Sequence, residues 1–151
     1  MVCGGCGVLD KHMAVGSLLV VSSAIRDEGV SYHYLPPSRE VIAHEAGVKA
    51  LANTLSNMNI PHHIGKTWTT DAPFRETPDR IAMRKEEGCL AVEMESAGMM
   101  AVAQFRGVSL GQILYSGDDL SCVEWDERSW QSRTAIREKL FWLCADAVLT
   151  L

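Results

Sequence analysis

The sequence predicts an α/β fold in a single domain of 151 residues. Short, continuous apolar runs at residues 17–25, 89–92 and 108–115 are typical of strands that are covered on both faces. Residues 39–58 and the C-terminal segment instead repeat apolar side chains at helical spacing. Buried strands that alternate with amphipathic helices form a sheet with helices on its faces. A chain of this length can bury a sizeable core.

Composition and charge exclude several functional classes. Apolar residues make up 47% of the chain and charged residues 22%, which is the balance of a soluble globular protein. The net charge of −5 and the lack of a basic run argue against a nucleic-acid partner. No apolar stretch approaches the roughly 20 residues of a membrane span, and residues 1–5 lack the basic flank and apolar segment of a signal peptide. We therefore expect no membrane partner and a cytoplasmic location.

The five cysteines predict free thiols rather than a disulfide framework, because their number is odd and they are scattered. Cys3 and Cys6 have the C-x-x-C spacing that redox and zinc sites use. No second such pair completes a four-thiolate site, and His62 and His63 are adjacent rather than helically spaced. We predict no metal, and we interpret Cys3 and Cys6 as small residues of a glycine-rich turn.

The first half of the chain contains two predicted strands and one helix. Residues 4–7 carry too many glycines for a regular strand or a helix, so we predict a turn there. After the strand at residues 17–25 and a charged turn, Ser38 is predicted to cap a helix over residues 39–58. Residues 62–70 favour extended backbone through their Ile, Thr and Trp side chains.

The central segment of the chain places two acids between a strand and a helix. Two prolines predict a loop over residues 69–78, and a short charged helix follows at residues 78–87. The next strand ends in Glu93-Met94-Glu95, after which small residues form a helix. Carboxylates at this position need donors that replace their lost hydration, and the unpaired N–H groups of a helix start are suitable. On spacing alone, these acids belong either to a helix start or to a functional site.

The last predicted strand, residues 108–115, is followed by the neighbouring acids Asp118 and Asp119. Ligands of α/β folds bind where strands end, so both acids are candidates for a site. A turn rich in Asp, Ser and Gly is the competing interpretation. The final helix carries no candidate chemistry, and its apolar stripe consists of Ile136, Leu140, Leu143, Cys144, Ala147 and Leu151.

The sequence Glu93-Met94-Glu95 resembles the Glu-Met-Glu motif of the nucleoside phosphorylase family, which includes purine nucleoside phosphorylases, uridine phosphorylases and related nucleosidases. In that family the methionine packs against the ribose, and the second glutamate accepts hydrogen bonds from the sugar hydroxyls. The resemblance therefore implies that Met94 and Glu95 bind ribose. A carboxylate suits this role because its two oxygens can bridge a cis-diol through charge-assisted hydrogen bonds.

Two further segments carry the resemblance. Residues 24–37 are similar to the uridine phosphorylase branch, which implies a site-shaping or interface role for Arg26 and Asp27. The loop after the second strand resembles the family segment whose aromatic residues stack on the base. The resemblance therefore places Phe74 at the base, and we assign Glu93 to the base as well.

The glycine-rich start resembles a family turn of sequence Gly-Thr-Cys-Gly, in which the threonine, and an arginine two residues before the turn, contact phosphate. Val2 and Gly5 occupy these two positions here, so the family's cation and hydroxyl are missing. A backbone nest at Gly5 could still accept an anion. We therefore retain Gly5 as the candidate for phosphate binding.

The strand before Asp118 resembles the one that carries the catalytic aspartate of purine nucleoside phosphorylases. The resemblance implies that Asp118 protonates the departing base, with Asp119 as the alternative if the register differs by one residue. Breaking the N-glycosidic bond builds positive charge on the ribose, which Glu95 would stabilise. A partly buried acid near another carboxylate is suited to proton donation. We expect Glu95 and Asp118 to face one cavity.

The resemblance implies a three-layer sandwich with a mixed central sheet flanked by helices. It makes residues 1–151 one nucleoside phosphorylase-like domain, about the C-terminal three-fifths of a family member and incomplete at the N-terminus. The implied enzyme is a pentosyltransferase that cleaves a purine nucleoside or uridine, with phosphate as co-substrate and no cofactor. Because phosphate elements are missing, a nucleosidase that uses water and an inactive nucleoside-binding remnant remain alternatives. Exposed edges of an incomplete sheet predict a homo-oligomer or poor solubility.

Overall fold

A computed structural model describes residues 1–122, 125–129, 132 and 134–151. Six strands of these residues form one sheet, and four α-helices pack on it. The strands are β1 (Val2–Val8), β2 (Leu18–Asp27), β3 (Glu40–Ile42), β4 (His63–Thr70), β5 (Cys89–Glu93) and β6 (Gln112–Asp119). The helices are α1 (Glu45–Asn57), α2 (Pro78–Glu86), α3 (Ser96–Arg106) and α4 (Thr134–Val148).

The sheet mixes parallel and antiparallel pairs in the order β3-β2-β4-β5-β1-β6. The pairs β2–β4, β4–β5 and β1–β6 are parallel, and β2–β3 and β1–β5 are antiparallel. β2 also pairs with β6 through Leu18, Leu19 and Val20, which closes five of the strands into a ring. The predicted mixed sheet flanked by helices is confirmed. Among the described strands, β3 lies outside this ring and pairs only with β2, so it forms an edge of the sheet.

Both faces of the sheet are buried, as the apolar runs predict. Along β2, Leu18 and Val20 belong to the cluster formed with α1 and α4, whereas Leu19 and Val21 belong to the cluster formed with α3. A third cluster surrounds the fully buried Trp68. The sheet therefore lies between α1 and α4 on one side and α3 on the other.

Several predicted elements are confirmed to within two residues. They are the strands at residues 17–25, 62–70 and 89–92, the helix at residues 78–87, and the small-residue helix after Glu95. The final helix is α4, and four of the residues predicted for its apolar stripe are buried: Leu140, Leu143, Cys144 and Ala147. All five cysteines are free, as predicted. Among the helices of the described residues, none has the length and apolar content needed to cross a bilayer.

Residues 4–7 are not a turn but the middle of β1. The glycines are needed there because neighbouring side chains occupy the space that a Cβ atom would fill. A Cβ atom at Gly5 would lie 3.1 Å from the ring of Tyr115, and one at Gly7 would lie 3.0 Å from Val92. The prediction was wrong because glycine content reports local flexibility, whereas tertiary packing requires these residues to be small.

The helix predicted over residues 39–58 begins only at Glu45, and Ser38 does not cap it. The preceding Glu40–Ile42 segment pairs with β2 as a strand. The Ser38 hydroxyl accepts a hydrogen bond from Arg26 Nη1 at 2.7 Å instead. Strand pairing with a distant segment overrides the helical spacing of the apolar residues at this end.

The strand predicted at residues 108–115 begins four residues later, at Gln112, and continues to Asp119. α3 ends at Arg106, and Gly107 after it adopts a left-handed conformation with φ 65°. The chain needs the next residues to reach the sheet. Val108 is accordingly 55% exposed. The acids after Tyr115 therefore belong to the strand itself rather than to a loop beyond it.

Candidate active site

A cavity of about 440 Å³ lies where β1, β5 and β6 meet. β1 pairs with β6 along its whole length. It pairs with β5 only at Gly7 and Val8, so the rest of β1 is separated from β5. Five of the six residues that the sequence assigned to a site line this cavity, including both Glu95 and Asp118. The lining residues are Gly5, Cys6, Gly7, Pro73, Glu76, Val92, Glu93, Met94, Glu95 and Asp118.

The Glu93 carboxylate joins the start of α3 to the end of β4. Its Oε2 accepts the backbone N–H groups of Glu95 at 2.8 Å and Ser96 at 2.7 Å, and its Oε1 accepts the Thr69 hydroxyl at 2.6 Å. The Thr69 hydroxyl in turn accepts the N–H of Ala97 at 3.0 Å. Burial raises the pKa of Glu93, and these hydrogen bonds act in the opposite direction. Because the chain itself engages both oxygens, the geometry favours a helix-capping role over the base contact predicted for Glu93.

Met94 and Glu95 come next and are exposed at the cavity. Both also border a second, mostly apolar cavity of about 530 Å³ along α3. Within the part of the chain that the structure describes, the Glu95 carboxylate has no hydrogen-bond or ion-pair partner. It is therefore available to accept hydrogen bonds from the hydroxyl groups of a ligand.

An irregularity in β6 places Asp118 on the cavity. The pairing of β1 with β6 shifts by one residue between Cys6 and Val8, so β6 contains one more residue than β1 over this stretch. An extra residue of this kind bends the strand and re-aims its side chains. Asp118 lies in the shifted stretch, and its Oδ2 accepts the indole N–H of Trp125 at 2.7 Å.

Asp119, the alternative acid, is bound elsewhere and does not line the cavity. Its Oδ1 accepts the backbone N–H of Ser121 at 2.7 Å, and its Oδ2 accepts a hydrogen bond from Arg128 Nη2. Burial opposes the charge on Asp119, but the hydrogen bonds from Ser121 and the Arg128 guanidinium outweigh it and lower the pKa. Of the two acids that the sequence left open, Asp118 is the one that faces the cavity.

Glu76 is a cavity residue that sequence reasoning missed. It lines the same cavity as Asp118, and among the described residues its carboxyl group has no hydrogen-bond partner. Burial and the negative charge of Asp118 raise the pKa of Glu76 to about 7. The only signal for it in the sequence is its place in the loop that was predicted to contact the base.

The structure does not bring Phe74 to the cavity, contrary to the prediction that it lines a base pocket. Its side chain is 100% exposed. Phe74 lies in the 3-10 turn Pro73–Arg75, and residues three apart in such a turn lie on the same side. Pro73 and Glu76 are three apart and face the cavity, which leaves Phe74 on the outside.

Arg26 and Asp27 hold the surroundings of the cavity in place rather than line it. Arg26 Nη1 donates to the carbonyl oxygen of Pro36 at 2.7 Å and so ties down the loop after β2. Asp27 Oδ2 accepts the indole N–H of Trp68 at 2.9 Å and a hydrogen bond from Arg84 at 3.1 Å. These contacts connect β2 with β4 and α2, which is compatible with the predicted site-shaping role.

The cavity is strongly acidic, because four carboxyl side chains and no Lys or Arg line it. Cys6 lies deep in its wall, where burial, with smaller effects from Glu93 and Asp118, raises the pKa of the thiol. The Cys6 thiol therefore stays protonated and is not a nucleophile. Among the described residues, no group of three or more His, Cys, Asp or Glu side chains could hold a metal ion.

Residues 1–142 match the family model of the phosphorylase superfamily. The chain belongs to this superfamily. A guanosine phosphorylase of Halorubrum lacusprofundi is 28% identical over 111 residues, which cover 74% of this chain and 46% of the relative. A uridine phosphorylase of Klebsiella aerogenes is 28% identical over 124 residues, which cover 73% of this chain and 49% of the relative. The chain thus spans about half the length of these curated relatives of the superfamily.

The superfamily fold is also seen in solved structures. Purine nucleoside phosphorylase from Toxoplasma gondii in complex with immucillin-H superposes with a TM-score of 0.81 and 22% sequence identity. The match covers 98% of this chain and 62% of that protein. At this level of identity the similarity establishes the fold alone.

The bridge between Thr69 and Glu93 can be tested with Thr69→Val, which keeps the shape of the side chain but removes its hydroxyl. Glu93 then loses a donor and the N–H of Ala97 loses an acceptor, in a buried site. Each unpaired buried group costs about 1–3 kcal/mol, so we expect the free energy of unfolding to fall by about 2–4 kcal/mol in urea denaturation.

The matched control is Thr67→Val on the same strand. Thr67 is equally buried, but its hydroxyl donates only to the Ala91 carbonyl at 3.2 Å. We expect this variant to lose about 1 kcal/mol. Equal losses in the two variants would contradict the special role of the Thr69 bridge.

Proposed function

We propose that this chain carries the nucleoside site of an enzyme that cleaves the N-glycosidic bond of a purine nucleoside with phosphate as the acceptor. One observation carries the proposal: Glu95 and Asp118, from two different elements, face the same cavity. Its volume of about 440 Å³ suits a small ligand, since such sites measure about 300–1,000 Å³. The names of the guanosine and uridine phosphorylases that the chain resembles support the same reaction class.

The ribose would lie against Met94 and Glu95. The free Glu95 carboxylate offers two acceptor oxygens to the sugar hydroxyls, and the apolar Met94 side chain beside it offers contact to the ring. Positive charge builds on the ribose as the bond to the base breaks. The acidic cavity is suited to stabilise that charge, because its carboxylates are in place before the reaction begins.

The departing base would lie towards Asp118. The base takes the electron pair of the broken bond and becomes a good leaving group only when an acid protonates it. We propose that Asp118 serves this acid-base role at N7 of a purine. The acid at this position supports a purine, whereas the resemblance of residues 24–37 to uridine phosphorylases makes uridine the second candidate.

Phosphate is the acceptor that the relatives' names support. A nucleosidase that uses water is the second candidate, because no Lys or Arg is among the residues that line the cavity. Gly5 lies on the lining and could contribute its backbone to an anion. Neither reaction as proposed uses a cofactor.

The two candidates predict different assay results. We expect release of the base from inosine or adenosine, more slowly from uridine, and only when phosphate is present. Release that is independent of phosphate would show that the protein is a nucleosidase and not a phosphorylase. Binding of nucleosides without any base release would identify an inactive binding protein and would contradict the enzymatic proposal.

The role of Glu95 predicts a loss of activity when its charge is removed. Hydrogen bonds to a charged group contribute about 1.5–3 kcal/mol each, so Glu95→Gln should lower kcat/KM by about 10-fold to 100-fold or more. Glu138→Gln is the matched control, because Glu138 is exposed on α4 and does not line the cavity. Unchanged kcat/KM in Glu95→Gln, with the fold intact by circular dichroism, would remove the ribose role.

We also propose that the protein is a cytoplasmic homo-oligomer. Exposed apolar side chains support association: Val30 and Val108, each 55% exposed, border the second cavity next to Glu95. We expect sedimentation to show a dimer or larger species, and Val108→Lys to weaken it more than Val148→Lys, a control on the far helix α4 that is 44% exposed. A stable, soluble monomer would contradict the proposal.

A further inference from the structure

Glu76 and Asp118 bring two carboxyl groups to one cavity from two different elements. Glu76 follows the 3-10 turn after β4, and Asp118 lies in the shifted stretch of β6. Both carboxyl groups line one cavity of about 440 Å³, so their charges share a single partly buried site. Like charges that share a partly buried site oppose each other, so such a pair tends to keep one proton between its members.

We propose that Glu76 and Asp118 act as a pair that holds one proton, that this proton rests on Glu76, and that the pair, rather than Asp118 alone, protonates the departing base. This inference rests on the proposed function. It adds the carboxyl group of Glu76 to Asp118 as part of the acid that protonates the base. Both members line the cavity, so either can reach a base bound there.

Among the described residues, only one of the two side chains receives a hydrogen bond from a donor. The indole N–H of Trp125 can only donate, so Asp118 Oδ2, 2.7 Å away, is an acceptor in this arrangement. Glu76 has no donor of this kind among the described residues. The pKa of about 7, raised by burial and by Asp118, agrees with a proton on Glu76 at neutral pH.

The other ionisable groups around Glu76 do not supply an alternative partner. In the cavity these are Cys6, whose thiol stays protonated, Glu93, whose oxygens are engaged, and Glu95. Glu76 also borders a neighbouring groove of about 290 Å³, in which Lys85 and Cys122 are the other ionisable side chains. Neither of these two residues forms a hydrogen bond or ion pair with Glu76.

The groove gives the pair a path by which its proton can be replaced. As the bond between C1′ and the base nitrogen breaks, the electron pair stays on the base, and the O–H bond of the Glu76 carboxyl group breaks to transfer its proton to that base. The acceptor oxygen forms the new bond to C1′. A phosphate dianion attacks through an oxygen that carries no proton, whereas an attacking water loses one proton to solvent. Solvent in the groove, which Glu76 and Trp125 both border, then returns one proton to the pair.

The test compares Glu76→Gln with Glu86→Gln, an exposed control on α2. The rate of base release by the unmodified protein should fall as the pH rises through about 7, because the pair then loses its proton. Glu76→Gln cannot donate a proton, so we expect kcat to fall by about 100-fold or more, with KM unchanged and the decline near neutral pH abolished. Glu86→Gln should behave as the unmodified protein. A Glu76→Gln variant with unchanged kcat and pH profile would overturn the proposal.

A second measurement does not depend on activity. Carbon NMR of the side-chain carboxyl groups, with Glu76 assigned by its loss in Glu76→Gln, reports its titration directly. We expect Glu76 to titrate near neutral pH and to titrate at lower pH in Asp118→Asn, since the neighbouring negative charge is then gone. If no nucleoside is cleaved, the proposed function fails. The NMR titration then decides by itself whether the proton-sharing pair exists. Ordinary titration of Glu76, insensitive to Asp118→Asn, would overturn the pair even if the enzyme is active.

Discussion

The candidate site depends on the buried carboxylate of Glu93. A carboxylate that is 6% exposed loses most of its hydration, and only well-placed donors can compensate for that loss. Glu93 finds them in the hydroxyl of Thr69 and in two backbone N–H groups at the start of α3. The same bonds fix β4, β5 and α3 relative to one another. Met94 and Glu95 leave the strand immediately after this anchor, so their exposure to the cavity follows from it.

A second constraint comes from the close approach of β1 to its neighbours. The strand runs between β5 and β6, and the glycines at positions 5 and 7 make that possible because neighbouring side chains fill the space of any Cβ atom. The one-residue shift between β1 and β6 begins beside these glycines and places Asp118 on the cavity. The glycines that argue against a strand in the sequence are therefore what allows β1 to lie this close to its neighbours.

Local patterns predicted what depends on local chemistry. Continuous apolar runs located two of the buried strands to within two residues and placed the third four residues too early. The Glu-Met-Glu resemblance located the residues of the cavity that come from β5 and the start of α3. The remaining features depend on contacts between distant segments. Ser38 accepts a hydrogen bond from Arg26 instead of capping a helix. Phe74 faces outwards because of its position within a single 3-10 turn. Glu76 has an ordinary loop context in the sequence, and its burial and the charge of Asp118 make its pKa unusual.

The charge of the cavity bears on how its ligands are recognised. Four carboxyl groups without a lining Lys or Arg favour a neutral ligand that donates hydrogen bonds and becomes cationic during the reaction, as a nucleoside does. The negative potential of these carboxyl groups opposes the binding of a phosphate anion, which needs cations or aligned N–H groups. In the proposed pair, a proton held between Glu76 and Asp118 removes one negative charge from the side that receives the base, and Glu95 lies on the side of the ribose. If phosphate is the acceptor, its cations must come from residues other than those that line this cavity. Apart from the Gly5 backbone, the nucleoside and the acceptor are then recognised by different residues, and the acidic cavity itself discriminates in favour of the sugar.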